Sequence, residues 1–400
     1  MADLNIEPVG VRPLPQPPTA AGTGEEWRTS KITDEMLARA RARIGERRFA
    51  PGWNSVVTED TIRHFALGLG DDNPLYWDDD YAAQSPRGGL TAPACYLYSH
   101  INGPVWPQEA EELILPNVLA LWAGERWTWR RHLRVGEKIH AEYAMTELTE
   151  QPGGQFGSRS FIQRSNMEFK TDQGEVVAEV MHTLKRFERA ETRAKGKYRD
   201  RPIASYTEED RERFAAHYRD EATLMRRGSR PRYLEDTRVG EKTPRMLKGP
   251  LTRNGLIGWS MGCGLGLAAA NRMLYTILDG TAGIRMVNPD TGITDTWASP
   301  HWEPAFCNAA GIPGEGYDHG CQRMSWVAHF ASDWMGDHGF LRELEIRLMR
   351  PNVIYDVQWI EGEVIAMDLE AGTVALHITT VNQLGDTTSR SRATIELPRR

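Results

Sequence analysis

Two stretches of this 400-residue chain hold the side chains best placed by type to move protons. One, SPHWEPAFCNAAGIPGEGYDHG over 299–320, carries His301 in a turn and ends on His319-Gly320 at the start of an apolar run. Histidine changes charge near neutrality, at about pH 6.5 when unperturbed, so it can take a proton from water and return it. A carboxylate would orient that water or the imidazole, and Asp295 is the best local candidate. The N–H of Gly320, at a helix start, could hold a developing oxyanion. The other stretch, FALGLGDDNPLYWDDDYA over 65–82, carries Asp71, Asn73 and Pro74, with Tyr76 where a base would stand. Two copies of one unit, one stripped of its base, describe a duplicated enzyme with one working site.

The elements that must position these residues repeat as well. TEDTIRHFALGLG (58–70) reads as a helix with Ile62, Phe65, Ala66 and Leu69 on one face. The DDNP turn follows, then a second, buried helix over GGLTAPACYLYSHI, with Pro93 near its start. After Leu113 the chain alternates or runs apolar over strand lengths between Gly-rich turns: VLALWAGERWTWRRHL, EKIHAEYAMTEL, SRSFIQRSNMEFKT and GEVVAEVMHTLKRF. The second half repeats this plan. DTRVGEK (236–242) echoes HLRVGEK (132–138), and PLTRNGLIGWSMGCG pairs Thr252, Trp259, Gly262 and Gly264 with Thr58, Phe65, Gly68 and Gly70. Such internal self-similarity constrains the whole architecture. The expected fold class is α+β, each half an antiparallel sheet wrapped on a helix. The expected divisions are a loose arm over 1–29, a first unit over 30–190, a charged linker with one solvated helix over 191–231, and a second unit over 232–400. An insertion over about 265–296 interrupts the second copy and starts as a helix, LGLAAANRMLYTIL.

Composition narrows the partners. With 40% hydrophobic and 26% charged residues the chain is that of a globular protein large enough to need no disulfide or structural metal. A net charge of −7 gives no global basic surface for nucleic acid, while local Arg and Lys clusters suit an anionic small molecule. Cys95, Cys263, Cys307 and Cys321 form no CxxC pair, as expected of buried thiols in a reducing cytoplasm. No signal peptide and no membrane span is expected. The thirteen tryptophans read mostly as packing.

On these residues the chain resembles the MaoC-type hydratases and dehydratases in their double hotdog form. The family's signature is acid-x-Asn-Pro-x-His, an acid two residues on, an alanine six on, and His-Gly opening a central helix. The first half matches at Asp71, Asn73, Pro74, Asp78 and Ala82, with Tyr76 for the histidine and Ala92-Pro93 for His-Gly. It is similar to the non-catalytic N-terminal halves of this superfamily. The second half matches at His301, Glu303, Gly311, His319 and Gly320. The ungapped partner of Asp71 there is Leu265, and Asp295 precedes His301 by six positions where the signature has five.

The resemblance implies syn addition of water to a 2-enoyl thioester, or the reverse. His301 would be the base, Gly320 the oxyanion donor, and Asp295 the acid, with Asp71 as the alternative if the halves share a cleft. Asp71 and Asn73 otherwise brace their own turn, and His319 tunes the helix start. Tyr76 would line the site, and Arg323 would meet the anionic end of the ligand. Coenzyme A is the expected carrier, no cofactor is needed, and the assembly, monomer or homodimer, stays open. His319, His329 and His338 with Asp333 and Asp337 lack a metal-ligand spacing, so no metal is expected. Two rival readings stand beside this one: a non-catalytic acyl-thioester-binding partner subunit, and a hotdog acyl-CoA thioesterase.

Overall fold

The computed structural model describes residues 31–50, 52–101, 115, 117–152, 159–188, 201–265, 268–280, 283–309 and 314–400. The expected N-terminal arm and Gly311 lie outside the described residues. Ahead of its long strands each half carries a short amphipathic helix whose ends are written in the sequence. In the first, the helix Glu59–Leu69, the Thr58 hydroxyl accepts the Thr61 N–H, and Gly70 closes the helix at φ 71. In the second, the helix Arg253–Cys263 is capped by Thr252, which accepts the Gly255 N–H, and is closed by Gly264 at φ 74. A left-handed closing residue costs glycine nothing, since it has no Cβ.

These two helices pack on each other through glycine. A Cβ on Gly68 would lie 3.0 Å from the Trp259 Cα, and one on Gly262 would run into the His64 carbonyl. The paired glycines of the two copies are therefore the close-approach points of one interface.

The strands then follow in the order that the alternating runs predict: β2 (Leu119–Trp129), β3 (Ile139–Gln151), β4 (Ser160–Thr171) and β5 (Val176–Phe187) in the first half. The second half supplies β9 (Phe340–Leu348), β10 (Gln358–Asp368), β11 (Thr373–Asn382) and β12 (Thr387–Glu396). With the short edge strands β1 (Arg48–Ala50) and β6 (Met246–Lys248) they make one ten-stranded sheet, ordered β1-β3-β4-β5-β2-β9-β12-β11-β10-β6. The order reads the same from either end once halves are exchanged, so β2 and β9 meet at a pseudo-twofold seam. Their antiparallel register runs from Gly124↔Arg347 to Thr128↔Glu343. Gly124 lies at a register shift, where a Cβ would strike the Ile346 carbonyl.

The sheet wraps the central helix Gly320–Met335, all of whose side chains from Cys321 to Met335 are buried. The first half differs from expectation at the equivalent place. Ala94–His100 is wound as a 3-10 helix, with Cys95 to His100 buried, and residues 102–114 and 116 lie outside the described residues. The linker helix Glu208–Leu224 is solvated as expected, with Phe214 its one buried residue. The insertion forms the helix Asn271–Gly280 and a ribbon of β7 (Arg285–Val287) and β8 (Thr294–Thr296).

Gly262→Ala should destabilise the fold by about 1–3 kcal/mol, the usual cost of overpacking, read as a lower midpoint of urea unfolding. Exposed Gly258→Ala on the same helix, where an added Cβ meets no neighbour, serves as the backbone control.

Candidate active site

The His301 turn and its first-half counterpart share one backbone plan. Pro74–Tyr76 and Ser299–His301 are both 3-10 turns, but Asn73 is extended and caps the first with its side chain, whereas Ala298 ahead of the second is helical and has no side-chain oxygen to cap with. Each leads into a short helix, Asp79–Gln84 or Pro304–Ala309. Superimposing the turns puts His301 opposite Tyr76 and Thr296 opposite Asp71. The hydrogen bonds agree: Asp71 Oδ1 accepts the Asn73 N–H at 3.0 Å, and Thr296 Oγ1 accepts the Ala298 N–H at 3.4 Å. Asn73 Oδ1 also accepts the Leu75 N–H at 3.1 Å and so braces its turn. A threonine thus has the acid's place in the second half. Asp295 is one residue earlier on β8, its Oδ1 accepting the Thr296 N–H at 2.7 Å. Successive strand residues face opposite ways, and no described hydrogen bond or ion pair joins Asp295 to His301.

His301 itself is held in a defined tautomer. Its Nδ1 lies 2.8 Å from the Tyr317 carbonyl oxygen. A carbonyl only accepts, so Nδ1 carries the hydrogen and the lone pair is on Nε2. The ring stacks on His319 with centroids 3.7 Å apart and lies 4.3 Å from the Tyr317 ring. Burial pushes His301 down to about 4, against the opposing pull of the Tyr317 carbonyl. Burial, and then His301 beside it, push His319 far down as well. Both imidazoles are neutral at pH 7. The Ser260 hydroxyl donates to the Leu256 carbonyl at 2.8 Å, so it accepts from His319 Nε2 at 3.3 Å.

His319 is the N-cap of the central helix and makes no side-chain bond to the first turn. Gly320 follows, and a Cβ there would run into the Trp122 indole of β2. The structure therefore brings together His301, His319 and Gly320, with Trp122 laid against the helix start. Trp122 escaped the sequence reading because a strand tryptophan reads as core.

Asp71 does not join this group. Its carboxylate, 3% exposed, faces the central helix of the other half, with Oδ1 3.4 Å from His329 Nε2. The same nitrogen lies 3.4 Å from Asp333 Oδ2, and Lys248 Nζ lies 2.9 Å from His329 Nδ1. Burial pushes Asp71 up, His329 opposes it, and the Asp333 charge adds to the rise. Burial acts the same way on Asp333, but His329, Arg226 and Lys248 together outweigh it and hold that carboxyl below its ordinary range. Ligand atoms of Asp71, His329 and Asp333 lie within 4.8 Å of one another. They do not fit a metal, because an ammonium only donates. Lys248 makes Nδ1 the acceptor and places the hydrogen on Nε2, where a metal would need the lone pair.

Arg323 is also placed inside. It is 2% exposed, its Nε donates to Asp318 Oδ2 at 2.7 Å, and its Nη1 donates to the Arg350 and Thr388 carbonyls at 2.6 and 3.0 Å. Its donors are engaged within the protein, so the expected ligand contact is replaced by a structural clamp. Tyr76 is buried, and burial, then the Asp71 charge, raise its phenol. A further acid lay unseen in the strand pattern. Glu125 on β2 accepts from Trp127 Nε1 at 2.9 Å and from the Tyr98 hydroxyl, and burial pushes it up to about 7.

Comparison with known proteins agrees with this architecture. Residues 42–180 match the family described as "FAS1-like, dehydratase domain region". A UPF0336 protein of Parafrankia sp. (strain EAN1pec) is 28% identical over 124 residues, covering 31% of this chain and 78% of that protein. Among solved structures, a MaoC-like dehydratase is similar with a TM-score of 0.61 at 17% identity, over 90% of this chain and 100% of that one. A MaoC domain dehydratase of Chloroflexus aurantiacus J-10-fl has a TM-score of 0.52 at 12% identity, over 90% and 96%. A Mycobacterium tuberculosis protein described as a double hotdog has 0.54 at 12%, over 88% and 96%. Residues 42–180 are thus similar to a FAS1-like dehydratase region, and the chain shares the double hotdog fold of these solved structures.

The low proton affinity of His301 gives stability a defined pH dependence. Its folded pKa of about 4 lies below the ordinary 6.5. Between those values the unfolded chain binds the extra proton, so this contribution is complete above about pH 6.5 and is lost as pH falls toward 4. His301→Gln should therefore lose less stability than the parent between pH 7 and pH 5, by about 1–2 kcal/mol, measured by urea unfolding at both pH values. Parallel loss in the two proteins would show that His301 is not held neutral.

Proposed function

We propose that this protein is a hydro-lyase that adds water to a 2-enoyl-CoA thioester, or removes it from a 3-hydroxyacyl-CoA. The observation that carries this reading is the neutral His301, its Nε2 lone pair available, stacked beside the start of the buried central helix. In the hydration direction Nε2 takes a proton from water as its oxygen bonds to C3 of the enoyl group. The electron pair of the double bond moves to C2 and onto the thioester oxygen. The imidazolium then returns the proton to C2, leaving the thioester intact. The oxygen's transient charge is held by the Gly320 N–H at the helix N-terminus, where the dipole favours an anion.

The acid's orienting task is met here by backbone. The Tyr317 carbonyl fixes the His301 tautomer, and Thr296 braces the turn that presents it. Asp295, six residues ahead of His301, remains the acid proposed for positioning water. The threonine at the acid's place also favours a second reading, a partner subunit that binds acyl thioesters without turning them over.

The two readings separate in one assay across short, branched, aromatic and bulky 2-enoyl-CoA thioesters, with free thiol followed in parallel. Loss of enoyl absorbance without thiol release is the expected result. Thiol release would instead make the protein a thioesterase, and ligand-induced stabilisation without turnover would favour the binding subunit. His301→Ala should lower kcat by ~10²–10⁴, the range for a general base. With a base titrating at about 4, kcat/KM should stay level from pH 8 to pH 6 and fall only below about pH 5. A fall centred on the ordinary histidine range would remove His301 from this role.

A further inference from the structure

We infer that the first half holds a site for one monatomic, monovalent anion of chloride's size, bound beside the buried guanidinium of Arg87. The site is a small cavity whose polar lining is Tyr76, Arg87, His132 and Ser332, with Leu97 and Met335 among its apolar walls. Its volume is about 20 Å³, a little above the ~10–15 Å³ that a single water needs. Size therefore admits a water or a halide ion and excludes polyatomic anions.

Arg87 is the reason to expect the ion. It is 6% exposed. Among the described residues no carboxylate forms an ion pair with it, and its Nε is buried with no hydrogen-bond partner. A guanidinium does not shed its proton, and a buried charge without a counter-charge is costly. A water in the cavity would supply hydrogen bonds and leave that charge standing.

The charges around Arg87 are balanced among themselves or exposed. Arg131 also lines the cavity, but it pairs with Glu137 at 2.7 Å and Glu175 at 2.8 Å. Asp71 and Asp333, whose charges reach Tyr76, are set against Lys248 and Arg226, two acids to two cations. Arg134 is exposed and turns its Nη1 to the Arg87 carbonyl at 2.7 Å. Burial, then Arg87 and Arg134, push His132 down to about 2, so it is neutral. One cation is left over, and one negative charge matches it.

The hydrogen bonds point the same way. Arg87 Nη1 donates to the Thr91 hydroxyl at 3.1 Å, and the guanidinium lies within hydrogen-bond reach of the Tyr76 phenol. A guanidinium only donates, so it uses the phenol oxygen and leaves the Tyr76 hydrogen to be given elsewhere. The Ser332 hydroxyl and the neutral His132 imidazole can each give one more. No carboxylate among the described residues lines the cavity. A cluster of donors around one uncompensated cation, in a space for one atom, fits a halide.

The test uses the full chain with chloride, bromide, acetate and gluconate as sodium salts at one ionic strength. Replacing gluconate by chloride should raise Tm and saturate, as binding at one site does. Bromide should act like chloride, while acetate, equal in charge and too large, should act like gluconate. Bromide in crystals of the protein should give an anomalous-scattering peak beside Arg87. Arg87→Met should need at least ~10-fold more chloride for half the rise, the scale of one lost charge-assisted hydrogen bond. His301→Ala should keep the parent response, which separates this site from the proposed reaction. The assignment is overturned if exchanging gluconate for chloride leaves Tm unchanged, if acetate acts as chloride does, if Arg87→Met responds as the parent does, if His301→Ala abolishes the response, or if no bromide peak lies beside Arg87. Should Arg87→Met not fold, the bromide peak and the chloride-against-acetate comparison on the parent chain decide.

Discussion

A helix with no solvent-facing side must satisfy every polar side chain it carries from inside the protein, and the central helix Gly320–Met335 is such a helix. Its charged residues are therefore anchors. Arg323 near its start is clamped by Asp318 and by two strand-end carbonyls. His329 and Asp333, one turn apart on one face, meet Asp71 from the first half, Lys248 from β6, and Arg226, whose Nε lies 3.4 Å from Asp333. Unpaired, the Arg323 or Asp333 charge would cost several kcal/mol in a low-dielectric interior. Paired, they fix the rotation and depth of the helix from two sides. The place of its N-terminus, and hence of Gly320 under Trp122, follows from that.

The duplication makes sense of the divided motif. Both halves build a 3-10 turn behind a side-chain oxygen that accepts the N–H two residues on, one with Asp71 and Tyr76, the other with Thr296 and His301. The half without the base kept the acid, and its carboxylate now holds the other half's helix. The half with the base gave up the acid, and a backbone carbonyl orients the imidazole. The residues of one ancestral turn are thus divided between a structural network and a candidate site, and the β2–β9 seam holds the two in register.

Much of this was legible in the sequence because it is local. Threonine caps, closing glycines and alternating strands each depend on a few neighbouring residues, and the repeat alone pairs Gly68 with Gly262, which the fold brings into contact. The features that were not legible depend on distant partners or on a shift of one residue. His329 and Asp333 share a helical face by their spacing, but nothing local says that Asp71 and Lys248 meet them. Arg323 reads as a ligand contact until Asp318 and the carbonyls of residues 350 and 388 close around it. Asp295 stands one position off the signature's spacing, and only the fold shows that Thr296, at the end of β8, accepts the Ala298 N–H in the acid's place. Glu125 shares its face of β2 with Trp127 and Trp129, so the strand period turns it inward, but an acid in a strand reads as solvent-facing. The first-half helix became a 3-10 helix, a difference of winding that apolar periodicity does not resolve over so short a run.

The stacked pair His301 and His319 sets a condition on any proton transfer there. Two imidazoles with centroids 3.7 Å apart in a buried site cannot both hold a charge, so the resting pair is neutral. A base with a pKa of about 4 is weak toward a proton that arrives alone. In the proposed hydration the proton does not arrive alone. As water is deprotonated, negative charge develops on the thioester oxygen at the helix start, and imidazolium and enolate form as a pair a short distance apart. In a low-dielectric site their attraction is far larger than in water, and it raises the proton affinity of His301 only while the enolate exists. The burial that depresses His301 in the free protein is then what strengthens it in the transition state, because both effects come from the same exclusion of water.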